Sequence, residues 1–170
     1  NQAALLDDCV ALTRELGFLE PLTDRHIPPE AITIQGPNYR ESLLADGLLS
    51  RNRAVLRLLV HLYGSVATLQ TQQVYLVEAL SGFAQWLQRH LAADRLLCSE
   101  FLDDAEGSFS HVPHQDLSAL TLSDHSFDLV LCNDLFEHVR DLQRAFSEIA
   151  RVLRPGGRLL ATCPLAFGQH

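Results

Sequence analysis

At 170 residues, 47% hydrophobic and 20% charged, the chain is long enough for about one domain with a sizeable buried core. Its 13 Lys+Arg stand against 21 Asp+Glu, a formal net charge of −8, the opposite of the basic face that nucleic-acid binding requires, so no nucleic-acid partner is expected. No apolar run nears the roughly 20 residues that span a bilayer, and Asn1-Gln2-Ala3 does not open a signal peptide, which makes the cytoplasm the expected compartment. Lys and Met are both absent, and the lack of Met even at position 1 is what a processed or partial product would show. Cys9, Cys98, Cys132 and Cys163 are widely spaced without a CxxC pair, so neither disulfides nor a zinc site is expected. Three of the four fall in apolar runs, where Cys acts as a small buried hydrophobe.

Residues 1–72 read as a helical lead-in. Ala4, Leu5, Val10, Leu12 and Leu16 repeat at roughly helical spacing up to Gly17, and Pro21, Pro28, Pro29 and Pro37 then forbid any single regular element. A second helix is expected from Ser50, a candidate N-cap, through Val55, Leu56, Leu59, Val60 and Leu62 to Gly64. Arg40, Arg51, Arg53 and Arg57 read as a solvated face, with attraction of an acidic substrate as the alternative.

Residues 73–170 change to strand, helix, strand. Val74-Tyr75-Leu76-Val77 is a first apolar run, a helix follows over residues 81–91, and Arg95-Leu96-Leu97-Cys98-Ser99 is a second run. Residues 108–112 read as an edge strand, Phe127-Asp128-Leu129-Val130-Leu131-Cys132 as a third run and Arg158-Leu159-Leu160-Ala161-Thr162-Cys163 as a fourth. Between the last two, a helix striped by Leu142, Phe146, Ile149, Val152 and Leu153 is opened by Asp141 and stopped by Pro155-Gly156-Gly157. Continuous apolar strands alternating with amphipathic helices predict an α/β fold with a mostly parallel sheet and helices on both faces.

Such sheets bind ligands beyond the carboxyl ends of their strands, where strand order reverses. After the first strand, the turn from Glu78 to Ala84 holds Leu80, Gly82 and Ala84 at the alternate positions where glycines let a backbone approach a nucleotide-type ligand, so its signal is weak. Glu100 follows the second strand and suits the vicinal hydroxyls of a ribose, or is a solvated acid. Asp116 in His114-Gln115-Asp116-Leu117 suits an exocyclic amine, with the next N–H on a ring nitrogen, and its alternative is a cap on the turn through Leu117-Ser118. After the third strand, Asn133-Asp134-Leu135-Phe136-Glu137-His138-Val139 would set Asp134, Glu137 and His138 at i, i+3 and i+4 of one helical face. That face could line a site, shuttle a proton or hold a metal, or Asp134 could simply cap and His138 lie half-buried.

Together Asp116-Leu117, Asp124-His125-Ser126-Phe127-Asp128-Leu129-Val130, Glu137-His138-Val139 and Glu148-Ile149-Ala150-Arg151-Val152-Leu153-Arg154-Pro155-Gly156-Gly157 resemble the class I S-adenosylmethionine-dependent methyltransferases of type 11, over about residues 73–164. The resemblance implies a Rossmann-like sheet with S-adenosylmethionine laid across the strand ends. Glu78, Leu80 and Gly82 would lie against its methionine part, Glu100 would hold the ribose hydroxyls, Asp116 and Leu117 the adenine, and Asn133 would flank the sulfonium. Asp134, Glu137 and His138 are the candidate lining of the acceptor side, and the Arg-Pro-Gly-Gly segment is a turn of the fold. No catalytic residue or metal is assigned, because methyl transfer by in-line displacement needs mainly positioning. The implied partner is a small-molecule acceptor, with a lipid or saccharide precursor as candidates.

Three departures bear on this reading. Leu80 erodes the glycine turn; Leu44-Ala45-Asp46-Gly47 stands where relatives carry a cysteine pair; and Phe167-Gly168-Gln169-His170 stands where the family sheet continues into C-terminal strands. The lead-in or an unfinished sheet edge would then offer a homodimer surface. The alternative function is a methyltransferase-like binding or assembly module without catalysis. A nicotinamide-dependent dehydrogenase is disfavoured, because a pyrophosphate needs several free backbone N–H groups at the glycine turn.

Overall fold

In the computed structural model, which describes residues 2–21, 23–102 and 111–164, the first apolar spacing becomes helix α1 (Gln2–Leu16). Gly17 ends it in left-handed backbone, φ 74°, where a Cβ would run into the Ile27 carbonyl oxygen, so glycine is required there. The Pro-rich stretch that follows is broken into short pieces: hairpin strands β1 (Phe18–Leu19) and β2 (His26–Ile27), then a 3-10 turn over Pro29–Ala31. Next come β3 (Ile32–Ile34), the one-turn helix α2 (Tyr39–Ser42), β4 (Leu43–Ala45) and β5 (Leu48–Leu49), the strands forming an antiparallel sheet.

Helix α3 (Ser50–Tyr63) corrects one expectation: its N-cap is Leu49, whose N–H donates to Asn52 Oδ1 at 3.0 Å, and Ser50 is already helical. Gly64 closes it at φ 79° as expected. Arg53 is a second correction. It is buried, donates to the carbonyl oxygens of Leu48 at 2.7 Å and Ala45 at 2.6 Å, and lies 4.8 Å over the Phe18 ring. Burial pulls its pKa below the ordinary arginine value even beside Glu20 and Asp46, so it ties α3 to the β4–β5 turn rather than attracting a substrate. Helix α4 (Val66–Leu69) completes the first compact unit, Asn1–Leu69.

The second unit, Gln70–His170, contains β6 (Val74–Leu76), α5 (Gly82–His90), β7 (Leu96–Cys98), β8 (Phe127–Asn133), a 3-10 turn over Phe136–His138, α6 (Leu142–Val152) and β9 (Leu153–Thr162). The strands pair in parallel in the order β7-β6-β8-β9, the α/β Rossmann-like arrangement expected. Ser81 caps α5 by accepting from the Ala84 N–H at 3.0 Å, and Asp141 caps α6 by accepting from Arg144 N–H at 3.0 Å. The β6-to-β7 and β8-to-β9 crossovers run in opposite directions across the sheet, so right-handed connections put α5 and α6 on opposite faces. On the α6 face, Tyr75, Val130 and Cys132 pack with Ala145, Ile149, Val152, Leu117 and Leu120. On the other, Val74, Leu76, Leu129 and Leu131 are fully buried, each such side chain contributing about 1.5–3 kcal/mol.

Helix α6 stops at Val152, three residues before Pro155, and β9 begins at once. Its pairing with β8 jumps from Leu153 opposite Phe127 to Arg158 opposite Leu129, so residues 154–157 bulge out. Cys98 and Cys132 are buried as expected, but Cys163 lies past the end of β9 and is exposed. The expected edge strand lies outside the described residues over 108–110, as do residues 165–170, and His111 begins a turn.

Candidate functional site

The chain runs from β6 to β7 on one side and returns to β8 on the other, so the ends of β6 and β8 form the point where strand order reverses. Glu78 and Asn133 leave those ends and meet there, Asn133 Nδ2 donating to Glu78 Oε1 at 2.8 Å. The remaining amide oxygen, Asn133 Oδ1, is buried and has no hydrogen-bond partner among the described residues. Buried acceptors in folded proteins are rarely left unpaired, so Asn133 Oδ1 is open to a donor such as an ordered water or a ligand.

Glu100 follows β7 and is bridged in parallel to His114: its N–H donates to Pro113 O at 2.9 Å, and Gln115 N–H donates to Glu100 O at 3.0 Å. Its carboxylate is only lightly held, Oε2 by Ala79 N–H and Oε1 by Phe101 N–H, both at 3.3 Å. Lone pairs on both oxygens are left for further donors.

Beside it opens a cavity of about 600 Å³, a volume suited to a cofactor-sized molecule. Of the residues singled out in the sequence, Glu100, Asp116, Leu117 and His138 line it; Glu78, Leu80, Gly82, Asn133, Asp134 and Glu137 do not. The lining also includes Phe101 and Arg140, which the sequence reading passed over, and Gln115 and Val139, which it gave no role. Phe101 is 62% exposed and its ring lies 5.4 Å from that of His114. An aromatic directly after Glu100 was the signal that could have found it.

Asp116 makes the turn cap that its spacing allowed: Oδ1 accepts from Ser118 N–H at 2.8 Å and from the Ser118 hydroxyl at 2.7 Å. The hydroxyl above all, then the N–H, holds its carboxyl below the usual carboxylate range, so it faces the cavity region as an anion. Capping and ligand binding are compatible, because both local bonds fall on one oxygen. Around it the segment 115–121 is closed on itself, Gln115 Nε2 donating to Thr121 Oγ1 at 2.8 Å while Gln115 Oε1 accepts from Thr121 N–H at 2.9 Å.

The helical face expected for Asp134, Glu137 and His138 does not form. Asp134 sits in left-handed backbone, φ 45°, its N–H donating to Thr162 O at 2.8 Å, and only a 3-10 turn follows. Only His138 of the three reaches the cavity. Neither the turn over residues 78–82 nor Ala84 in α5 has left-handed backbone, so conformation alone demands no glycine at Leu80 or Ala84. Leu80 itself is half exposed.

Much of the most distinctive sequence serves the fold. Arg151 uses all its guanidinium N–H groups: it pairs bidentately with Glu148 at 2.9 and 2.7 Å, and donates to Asp124 Oδ1 at 2.6 Å, Leu122 O at 2.8 Å and Leu120 O at 2.9 Å. Arg154 donates to Asp128 Oδ2 at 2.8 Å, which also accepts from Gln73 N–H at 2.8 Å. These bonds fasten the cavity loop and the start of β8 to the end of α6.

A sequence profile of the family described as "Methyltransferase domain" matches residues 63–161. Among curated proteins, a malonyl-[acyl-carrier protein] O-methyltransferase from Methylococcus capsulatus is 46% identical over a segment covering 34% of this chain and 26% of that protein. A ubiquinone biosynthesis O-methyltransferase from Coxiella burnetii is 42% identical over 26% of this chain and 19% of that protein. The chain thus spans less than a third of the length of either relative. Among solved structures, the PH0226 protein from Pyrococcus horikoshii OT3 has the same fold, with TM-score 0.50 and 22% identity over 66% of this chain and 56% of that one. The profile covers more than half of the chain, which therefore belongs to this family, the type 11 branch of the class I S-adenosylmethionine-dependent methyltransferases.

Proposed function

We propose that the second unit binds S-adenosylmethionine in the cavity beside Glu100 and supports methyl transfer to a small-molecule acceptor. The observation that carries this reading is that a lightly held carboxylate on Glu100 and an anionic Asp116 line one cavity, while the buried, unsatisfied Asn133 Oδ1 stands outside its lining at the end of β8. The donor set fits the group: two ribose hydroxyls for Glu100, an exocyclic amine for Asp116 Oδ2 with Leu117 beside the base, and a cationic or N–H donor for Asn133. Glu78 holds Asn133 in place, and Leu80 and Gly82 form the adjoining turn near the methionine part. When bound, the cofactor supplies an electrophilic methyl group on a sulfonium.

The chain's own work is to hold and orient, which is what an in-line displacement requires. His138 is the one titratable group of the 3-10 turn at the cavity and can take a proton from an acceptor hydroxyl or amine; Asp134 and Glu137 flank it on the acceptor side. The acceptor, with lipid or saccharide precursors among the candidates, enters by that wall. A second copy could pair with β9, which is bonded on one side only among the described strands; light scattering would detect it. The alternative, a module without catalysis, draws on Leu80. Because the turn needs no left-handed glycine, Leu80→Gly is expected to change cofactor affinity by less than about threefold, as for other exposed substitutions.

Isothermal calorimetry with S-adenosylhomocysteine tests the reading. Binding that Glu100→Ala weakens by about 100-fold or more, the loss of two hydrogen bonds to a charged acceptor, is the expected result. No heat from either S-adenosylhomocysteine or S-adenosylmethionine at millimolar ligand on folded protein would overturn it.

A further inference from the structure

We infer that Gln115 and Thr121 form a latch that makes the cavity selective for an adenine base, with Gln115 as a positioning residue. The inference rests on the cofactor reading above. Gln115 is nine-tenths buried, and its side chain pairs with Thr121 in both directions: Nε2 donates to Thr121 Oγ1 at 2.8 Å, and Oε1 accepts from Thr121 N–H at 2.9 Å and from the hydroxyl at 3.2 Å. A side-chain amide paired in both directions to one residue fixes the ends of the five-residue span between them, as a backbone ladder would.

What the latch encloses is the part of the cavity wall that meets the base. Asp116, Leu117 and Ser118 all lie within the span and line the cavity, and Leu117 and Leu120 send their side chains down into the α6-face core. Upstream, Gln115 N–H is bonded to Glu100 O at 3.0 Å, so the same residue sets the distance between the ribose acid and the base-reading acid. From α6, Arg151 grips Leu120 O within the latch and Leu122 O just beyond it. The loop is therefore held before any ligand arrives, and a preformed hydrogen-bonding edge rejects an analogue that lacks its partner more strongly than a mobile one does.

Neither residue is a conspicuous ligand-binding type in the sequence, and neither side chain takes part in the strand pairing. The experiment compares S-adenosylhomocysteine with its 6-oxo analogue, S-inosylhomocysteine, in which the exocyclic amine is replaced by an acceptor. Calorimetry on the unaltered chain is expected to favour the adenosine compound. In Gln115→Ala, binding of S-adenosylhomocysteine is expected to weaken by about tenfold, the equivalent of one to two hydrogen bonds, while the preference over S-inosylhomocysteine collapses towards one. Thr121→Ser, which keeps the hydroxyl and the N–H, is expected to retain both affinity and preference; it is the control that folds if Gln115→Ala does not, and Gln115→Glu then supplies the weakened latch.

A Gln115 variant that binds both compounds more weakly in equal proportion, with the preference intact, would show a merely structural role and overturn the latch while the cofactor reading stands. Unchanged affinity and preference would do the same. Absence of S-adenosylhomocysteine binding by the unaltered chain would overturn both.

Discussion

Glu100 and Asp116 are two acids on one cavity wall, and their surroundings give them different tasks. Glu100 is barely engaged by its neighbours, whereas Asp116 has one oxygen committed to Ser118. Removing the Ser118 hydroxyl therefore acts on the charge state of Asp116. A carboxylate held below its usual range adds stability that is fully present above the unfolded value, near about pH 4, and is lost as pH falls through the lower folded value. Ser118→Ala is accordingly expected to lower the urea midpoint at pH 7, with the difference from the unaltered chain shrinking as pH falls below about 4; a difference independent of pH would contradict the assignment. The thiols give a second test at this scale. Burial pushes Cys98 up to about 11 and Cys132 up to about 12, while Cys9 and Cys163 are exposed. A thiolate-selective disulfide reagent at pH 8 is expected to react quickly with two of the four and with the other two only on unfolding.

Among the elements, β8 carries the fold and the 154–157 bulge shapes its edge. Leu131 is fully buried in the middle of the sheet, and Leu131→Ala is expected to cost about 2–5 kcal/mol in urea unfolding. Gly157 is the sharper case, since a Cβ there would stand 2.9 Å from Arg154 O and 3.2 Å from Phe127 O. Gly157→Ala is expected to destabilise by about 1–3 kcal/mol through overpacking against backbone; a neutral outcome would mean the bulge relaxes. The strands and helices of residues 74–162 were legible because buried parallel strands are continuous apolar runs and helix caps have chemical signatures, as at Asp141. The strands from β1 to β5 were not: two or three residues long and interrupted by proline, they have no period to detect. The 3-10 turn after β8 escaped for a different reason, since the left-handed Asp134 breaks the helical spacing that its neighbours suggest.

In the whole molecule, recognition and chemistry rest on different residues. The run from Asp124 to Gly157 that announces the family is largely spent on Arg151, Arg154 and their partners, which brace the loop and the end of α6. The cavity itself depends on residues at the strand ends. Of these, Glu100 was singled out by its distance from the first turn, Asp116 and Leu117 by the family resemblance, and His138 by a helical spacing that does not form; Gln115 could not be, because its partnership with Thr121 exists only once the loop has closed. No helix among the described residues is long and apolar enough to cross a membrane. The most direct measurement is a crystal structure of the chain with S-adenosylhomocysteine. The expected density places the ribose hydroxyls on Glu100, the adenine edge on Asp116 and the amino-acid part towards Asn133; a ligand bound away from Glu100, or none at saturating concentration, would contradict the account.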